Sequence, residues 1–200
     1  MNILALDTSS PRISVAITDG KRVLGRADES GNASTRLIPC IEQALKAAKI
    51  TLDRIDGFAI GEGPGSYNGL RCGFATLQGI LLTHPRPVVQ LNSLPAMLPE
   101  SRNGKRFAGV VLDARKKVFF FQKFNLEAGM PVAFEEGMVE TIEAIPGIDA
   151  HDGSWYSYDI EGMTRTYPDA AMIARHATVA MTATEAGNQL GEPRYLRPPV

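Results

Sequence analysis

Two stretches of this chain share one pattern, and that repetition constrains the fold more than any other feature. "NILALD" (2–7) precedes "RISVAITDG" (12–20), and "FAGVVLD" (107–113) precedes "KVFFFQKFN" (117–125). Each pair is an apolar run ending in an acid, Asp7 or Asp113, then a turn, then an alternating strand. A short unbroken apolar run reads as a strand covered on both faces, whereas alternation marks one with a single buried face. The repetition points to an internal duplication, with two sheets in an α/β chain. We expect an N-terminal subdomain over 1–100 and a smaller C-terminal one over 101–200. The chain has 200 residues and is 44% hydrophobic, enough for one domain or two small cores.

Between the repeats the elements alternate. "KRVLGRADE" (21–29) reads as a third strand, joined to the second by a two-residue hairpin turn at Asp19-Gly20. In "STRLIPCIEQALKAAK" (34–49), Leu37, Ile38, Ile41, Leu45 and Ala48 recur at helical spacing, with Ser34 or Thr35 as cap and Pro39 in the first turn or at a kink. "IDGFAIG" (55–61) is a strand, a glycine-rich stretch opens a helix reaching about Leu82, and "RPVVQL" (86–91) is a further strand. Later signals are weaker: a strand near 131–140, a solvent-facing aromatic stretch "GSWYSYD" (153–159), a helix near 168–177 and an extended tail "PRYLRPPV".

The stretch "GEGPGSYNGLRCG" (61–73) resembles a phosphate loop only superficially. A Walker loop needs a lysine to reach the terminal phosphates, and none occurs between Lys49 and Lys105. The dinucleotide pattern fails too, because Ser66 or Asn68 stands where its third glycine belongs. What is left is a helix start capped by Ser66, whose amides could hold an anion or merely form a turn. Within the helix, Leu70, Phe74, Leu77 and Leu81 form an apolar stripe, and Gly69, Gly73 and Thr76 form a small-residue stripe beside it. Each interior glycine costs about 1 kcal/mol of helix stability, so the second stripe implies close approach of another backbone. That backbone belongs either to the chain's own sheet or to a partner's helices.

Composition excludes several classes. A formal net charge of -1 does not suit a chain that wraps nucleic acid by itself, so any RNA contact needs a partner. Cys40 and Cys72 are the only cysteines, too few for a disulfide framework or zinc site, and both fall on apolar helix patterns. No basic segment precedes the first apolar run, and "GILLTHPRPVV" is broken well short of a membrane span. The expected setting is the cytosol, with no membrane partner.

The blocks "ILALDTSSPRISVAI", "TRLIPCIEQAL", "GEGPGSYNGLRCGFATLQGI", "VLDARKKVFFF", "YPDAAMIARHA" and "PRYLRPP" together resemble the TsaB (YeaZ) family, in its order and along the whole chain. Tyr67-Asn68 replaces the usual Phe-Thr, and Ala33 stands where a histidine often precedes the first helix. The resemblance implies an actin-like ATPase (ASKHA) fold with two ribonuclease-H-like subdomains, the second reduced. It also implies a role in forming N6-threonylcarbamoyladenosine at position 37 of tRNA. There the catalytic subunit is the paralogue TsaD, a TsaE ATPase joins the assembly, and TsaB is a non-catalytic partner that meets tRNA only through the complex.

Against that resemblance, the chain looks stripped for catalysis. The paralogue holds its metal partly through a His-x-x-x-His pair, and an approximate match puts Ser93 and Met97 at those positions. The histidines His84, His151 and His176 have no ligand spacing. After Asp113 come Ala114, Arg115, Lys116 and Lys117, where an active second phosphate loop would have glycines. Asp7 and Asp113 could be a metal-binding pair, but they read more simply as strand-end acids capping their turns. We therefore expect no catalytic, cofactor or metal residues. The expected partner surface lies on helices 34–49 and 66–82, with Leu37, Ile41, Leu45, Gly69, Gly73 and Thr76 at its centre and Arg36 and Arg71 at its rim. The same surface would serve a homodimer. The rival readings are an active phosphotransferase of the same fold and a metallopeptidase-like protein.

Overall fold

The computed structural model describes residues 1–99, 104–127, 131–148, 155–182, 187 and 189–196, and the chain divides into two units. His151, the first two residues of the 153–159 stretch and the last four of the tail lie outside the described residues.

The first unit comprises Met1–Ser93 and Pro168–Tyr195. Its strands are β1 (Ile3–Asp7), β2 (Arg12–Thr18), β3 (Val23–Ser30), β4 (Gly57–Gly61) and β5 (Val88–Leu91), in the order β3-β2-β1-β4-β5. The first three pair antiparallel, and β4 and β5 continue the sheet parallel to β1. Helices α1 (Ala33–Ala48) and α2 (Tyr67–Thr83) share a core with Ile13, Val15 and Ile17 of β2 and with Leu4 and Leu6 of β1. The alternate face of β2 carries Ser14, whose Oγ accepts the Ala170 amide at 3.1 Å. There lies the third helix, α3 (Ala170–Thr182). With cover on both faces, every residue of β1 is buried, as its unbroken apolar run requires.

Local chemistry sets the boundaries. Asn32 caps α1, its side chain accepting the Ser34 amide at 3.0 Å. The cap thus precedes the expected Ser34 or Thr35, and Pro39 falls inside the helix beyond the first turn. The β2–β3 connection is also longer than the expected two residues, because Thr18 pairs with Val23 after a register shift. Asp19 organises it, its carboxylate accepting the amides of Lys21 and Arg22 while its own amide donates to the Arg22 carbonyl. Asp169 starts α3 by accepting the Ala171 amide at 2.8 Å, and its other oxygen receives Arg26 of β3 at 2.9 Å. Arg26 and Arg12 both also bind Asp28. Burial alone would raise the Asp28 carboxyl, but the two guanidinium groups hold it below its ordinary pKa.

The second unit comprises Leu94–Tyr167 and the segment from Leu196. Strands β6 (Phe107–Asp113), β7 (Phe119–Asn125), β8 (Val132–Val139), β9 (Trp155–Ser157) and β10 (Thr164–Arg165) are ordered β10-β9-β6-β7-β8. Taken from the other edge, this is the first sheet's order, with the same antiparallel and parallel pairs. The duplication read from the sequence is therefore a duplication of topology. Among the described residues this unit has only 3-10 turns in place of helices. One face of its sheet packs Val110, Leu112, Phe120 and Phe124 against Leu94, Met97 and Leu98, and the other packs Val111 and Phe121 against Ile145.

Two expectations need correction. The units are not the contiguous halves 1–100 and 101–200, because the chain returns to the first sheet at Pro168 to build α3. Helical spacing identifies a buried stripe but not the sheet that buries it. Within the 153–159 stretch, expected to face solvent, Tyr156, Ser157 and Tyr158 are instead buried in and beside β9.

Thr18 carries a buried hydroxyl that lacks a hydrogen-bond partner among the described residues. Replacing it by valine removes an unpaid desolvation, so Thr18→Val should raise the unfolding free energy in urea by about 1 kcal/mol.

Candidate functional site

Asp7 ends β1 with its side chain fully buried. One carboxylate oxygen accepts the Ser9 amide at 2.8 Å and the Ser9 hydroxyl at 2.7 Å. The other accepts Ser93 Oγ at 2.5 Å, and Ser93 Oγ accepts the Gly63 amide at 3.0 Å. Ser93, expected where the catalytic paralogue would carry a metal ligand, thus donates to the strand-end acid. Met97, at the other matched position, is buried in the core of the second unit. Burial pushes the Asp7 carboxyl above its ordinary value, and the bonds from Ser93 and Ser9 offset this only in part.

The glycine-rich stretch wraps this centre. A Cβ on Gly61 would lie 1.8 Å from Asp7 Oδ2, and one on Gly65 2.1 Å from the Ser9 carbonyl. Its amides are largely committed: Glu62 donates to the Leu91 carbonyl, Gly63 to Ser93, and Ser66 to the Ser9 carbonyl. Ser66 caps α2 as expected, accepting the Gly69 amide at 3.2 Å. The tail closes over the loop, with the Arg194 amide donating to the Glu62 carbonyl at 2.7 Å and the Tyr195 ring 4.7 Å from that of Tyr67. Burial raises the Glu62 carboxyl above its ordinary value, with Arg194 opposing the shift.

The small-residue stripe is resolved by the same contacts. A Cβ on Gly69 would sit 2.0 Å from the Thr8 carbonyl, and one on Gly73 2.4 Å from Thr8 Oγ1. Both glycines are buried against the chain's own β1–β2 turn. Leu37 and Ile41 are likewise core residues. These four are therefore interior and do not form a partner surface. A stripe at helical spacing looks the same whether it faces a core or a partner. Of the remaining expected positions, Leu45 and Thr76 are half-buried, and Arg36 and Arg71 are exposed, with Arg71 against the Tyr67 ring. Ile38, counted in the helical stripe, is 51% exposed, and Leu82, at the end of the second helix, is 83% exposed.

In the second unit Asp113 repeats the role of Asp7, accepting the amide two residues ahead, that of Arg115, at 2.6 Å. Both acids cap their turns. The second turn is built differently: Arg115, Lys116 and Lys117 all adopt left-handed backbone, with φ of 66°, 54° and 58°. Side-chain-bearing residues pay about 1 kcal/mol or more each for this conformation. Nearby Asp159 is raised by burial, its bond from Ser157 opposing the shift. Among the described residues, no group of three or more His, Cys, Asp or Glu side chains could hold a metal.

Two sheets of one repeated order, the first carrying a glycine loop closed over a strand-end aspartate, define a duplicated two-unit α/β protein. The family model described as "TsaD: tRNA N6-adenosine threonylcarbamoyltransferase" matches residues 29–168, and the chain belongs to that family, on its TsaB (YeaZ) side. It is similar to the tRNA threonylcarbamoyladenosine biosynthesis protein TsaB of Haemophilus influenzae, 30% identical over 62% of this chain and 53% of the relative. The Escherichia coli protein of that name is 28% identical over 62% and 55%. The matched region therefore spans about half the length of these curated relatives. The solved structure described as YeaZ from Pseudomonas aeruginosa superposes with a TM-score of 0.78 at 25% identity, covering 98% of this chain and 99% of that one.

Two measurements check the site. Gly69→Ala should lower the unfolding free energy by about 1–3 kcal/mol, because backbone must move. Gly79→Ala, on the same helix with open space around it, should raise it by about 1 kcal/mol. For Asp7 the folded-state pKa lies above the unfolded one, so its contribution to stability is greatest below the ordinary aspartate pKa and is lost as pH rises through the folded value. Urea unfolding of wild type and Asp7→Asn between about pH 4 and pH 8 should show that decline in the wild type only; parallel profiles would mean an unshifted carboxyl.

Proposed function

We propose that this chain is a non-catalytic partner of a TsaD-like catalytic paralogue in the formation of N6-threonylcarbamoyladenosine on tRNA. It supports that subunit in the cytoplasm, is joined by a TsaE-like ATPase, and meets tRNA through the assembly. The observation that carries this reading is the closed state of Asp7. Both its oxygens are bonded within the chain, Ser93 occupies a position expected to hold a metal ligand in the catalytic paralogue, and much of the adjacent glycine loop spends its amides internally. A carboxylate so engaged is a structural anchor. Among the described residues no helix is long and apolar enough to cross a membrane.

The partner surface in this reading is the outward face of α1 and α2, carrying Arg36, Ile38, Leu45, Arg71, Thr76 and Leu82. Exposed apolar side chains among polar neighbours suit a helix-on-helix contact, and the same face would pair two copies when the paralogue is absent. Co-purification with the paralogue from the same organism tests this directly. Ile38→Asp and Leu82→Asp lie outside the core, so both should fold normally yet weaken the complex about tenfold or more. Undiminished association with both variants would put the interface elsewhere. Calorimetry of the isolated chain with Mg-ATP should give no binding; tight binding with turnover would favour the phosphotransferase reading instead.

A further inference from the structure

Arg115, Lys116 and Lys117 form the exposed tip of the hairpin between β6 and β7. All three hold left-handed backbone, a conformation that glycine or asparagine takes far more readily than these side chains do. The turn is fixed by the Asp113 carboxylate on the Arg115 amide, by the Ala114 amide on the Val118 carbonyl at 2.9 Å, and by the Val118 amide on the Arg115 carbonyl at 3.2 Å. None of those bonds uses a cationic side chain. Turn formation therefore does not account for two consecutive lysines where glycine would fit better, and backbone strain of this kind points to function. Among the described residues, no hydrogen bond or ion pair engages Lys116 or Lys117.

We propose that this tip contacts the phosphate backbone of RNA, the outward ammonium groups of Lys116 and Lys117 each meeting a phosphate. The inference rests on the reading that the assembly acts on tRNA and adds to it a site on this subunit. The tip offers point charges and no stacking ring, since Phe119 is half-buried in the sheet, so it supplies affinity without sequence preference. Asp113 and Asp159 lie at the base of the turn and disfavour an anion there, which leaves the lysine ends as the contact. With a formal net charge of -1 the chain exerts little overall pull on RNA, so the contact is local and its loss should be measurable.

The test is fluorescence anisotropy of a labelled, unmodified tRNA transcript titrated with the full chain, alone and in complex with the paralogue, repeated in KCl from about 50 to about 200 mM. Lys116→Gly/Lys117→Gly should bind more weakly at every salt concentration and flatten the plot of log affinity against log salt by about one to two units. Lys116→Arg/Lys117→Arg should keep the wild-type slope. Glycine suits the left-handed backbone, so the melting temperature of the double glycine variant should not fall, which separates lost contact from lost fold. Equal slopes in wild type and glycine variant, or no binding by the wild type, would overturn the proposal. So would a glycine variant that loses co-purification with the paralogue at unchanged slope, since the tip would then be a protein contact. A slope difference that persists without co-purification would support the tip and count against the assembly reading.

Discussion

The first unit is organised around one buried carboxylate. Asp7 ties its own turn through Ser9, and through Ser93 it ties the segment that leaves β5. Ser93 in turn holds the Gly63 amide, so the β1–β2 turn, the glycine loop and the end of β5 converge on two oxygens. The glycines follow from this convergence. With the turn pinned this tightly, neither the loop nor the first turns of α2 have room for a Cβ at Gly61, Gly65, Gly69 or Gly73.

The two units show what the same strand order does with different cover. In the first, helices lie on both faces, and the central strand is buried throughout. In the second, the edge strand β8 leaves Val132, Phe134 and Met138 about half exposed. Asp113, only partly buried, still caps its turn, but without glycines around it the next residues pass through a left-handed run of charged side chains. One architecture thus carries a tight, anchored turn in one copy and a solvent-facing cationic turn in the other.

Much of this was legible in the sequence, and the misreadings share physical causes. The strands of the duplicated pattern were readable because an unbroken apolar run and an alternating run have distinct periods. Ser66 was readable as a cap because it stands directly before the helical pattern. The direction in which a stripe faces was not readable: Leu37, Ile41, Gly69 and Gly73 carry the spacing of an interface and lie in the interior. Ser93 left no mark of its bond to Asp7, because the two are 86 positions apart and neither belongs to a local motif. The left-handed run at Arg115, Lys116 and Lys117 was hidden for the opposite reason, since local preference argues against it.

The return of the chain at Pro168 also sets an order of events. The α3 face of the first sheet can be covered only after the intervening unit, Leu94–Tyr167, has been synthesised. Until then Ser14 lacks the Ala170 amide and Arg26 lacks Asp169, so this face of the sheet waits for its cover. On the ribosome, β1 to β5 therefore emerge well before the helix that covers this face. Completing the first unit is then a long-range step that waits for the last helix.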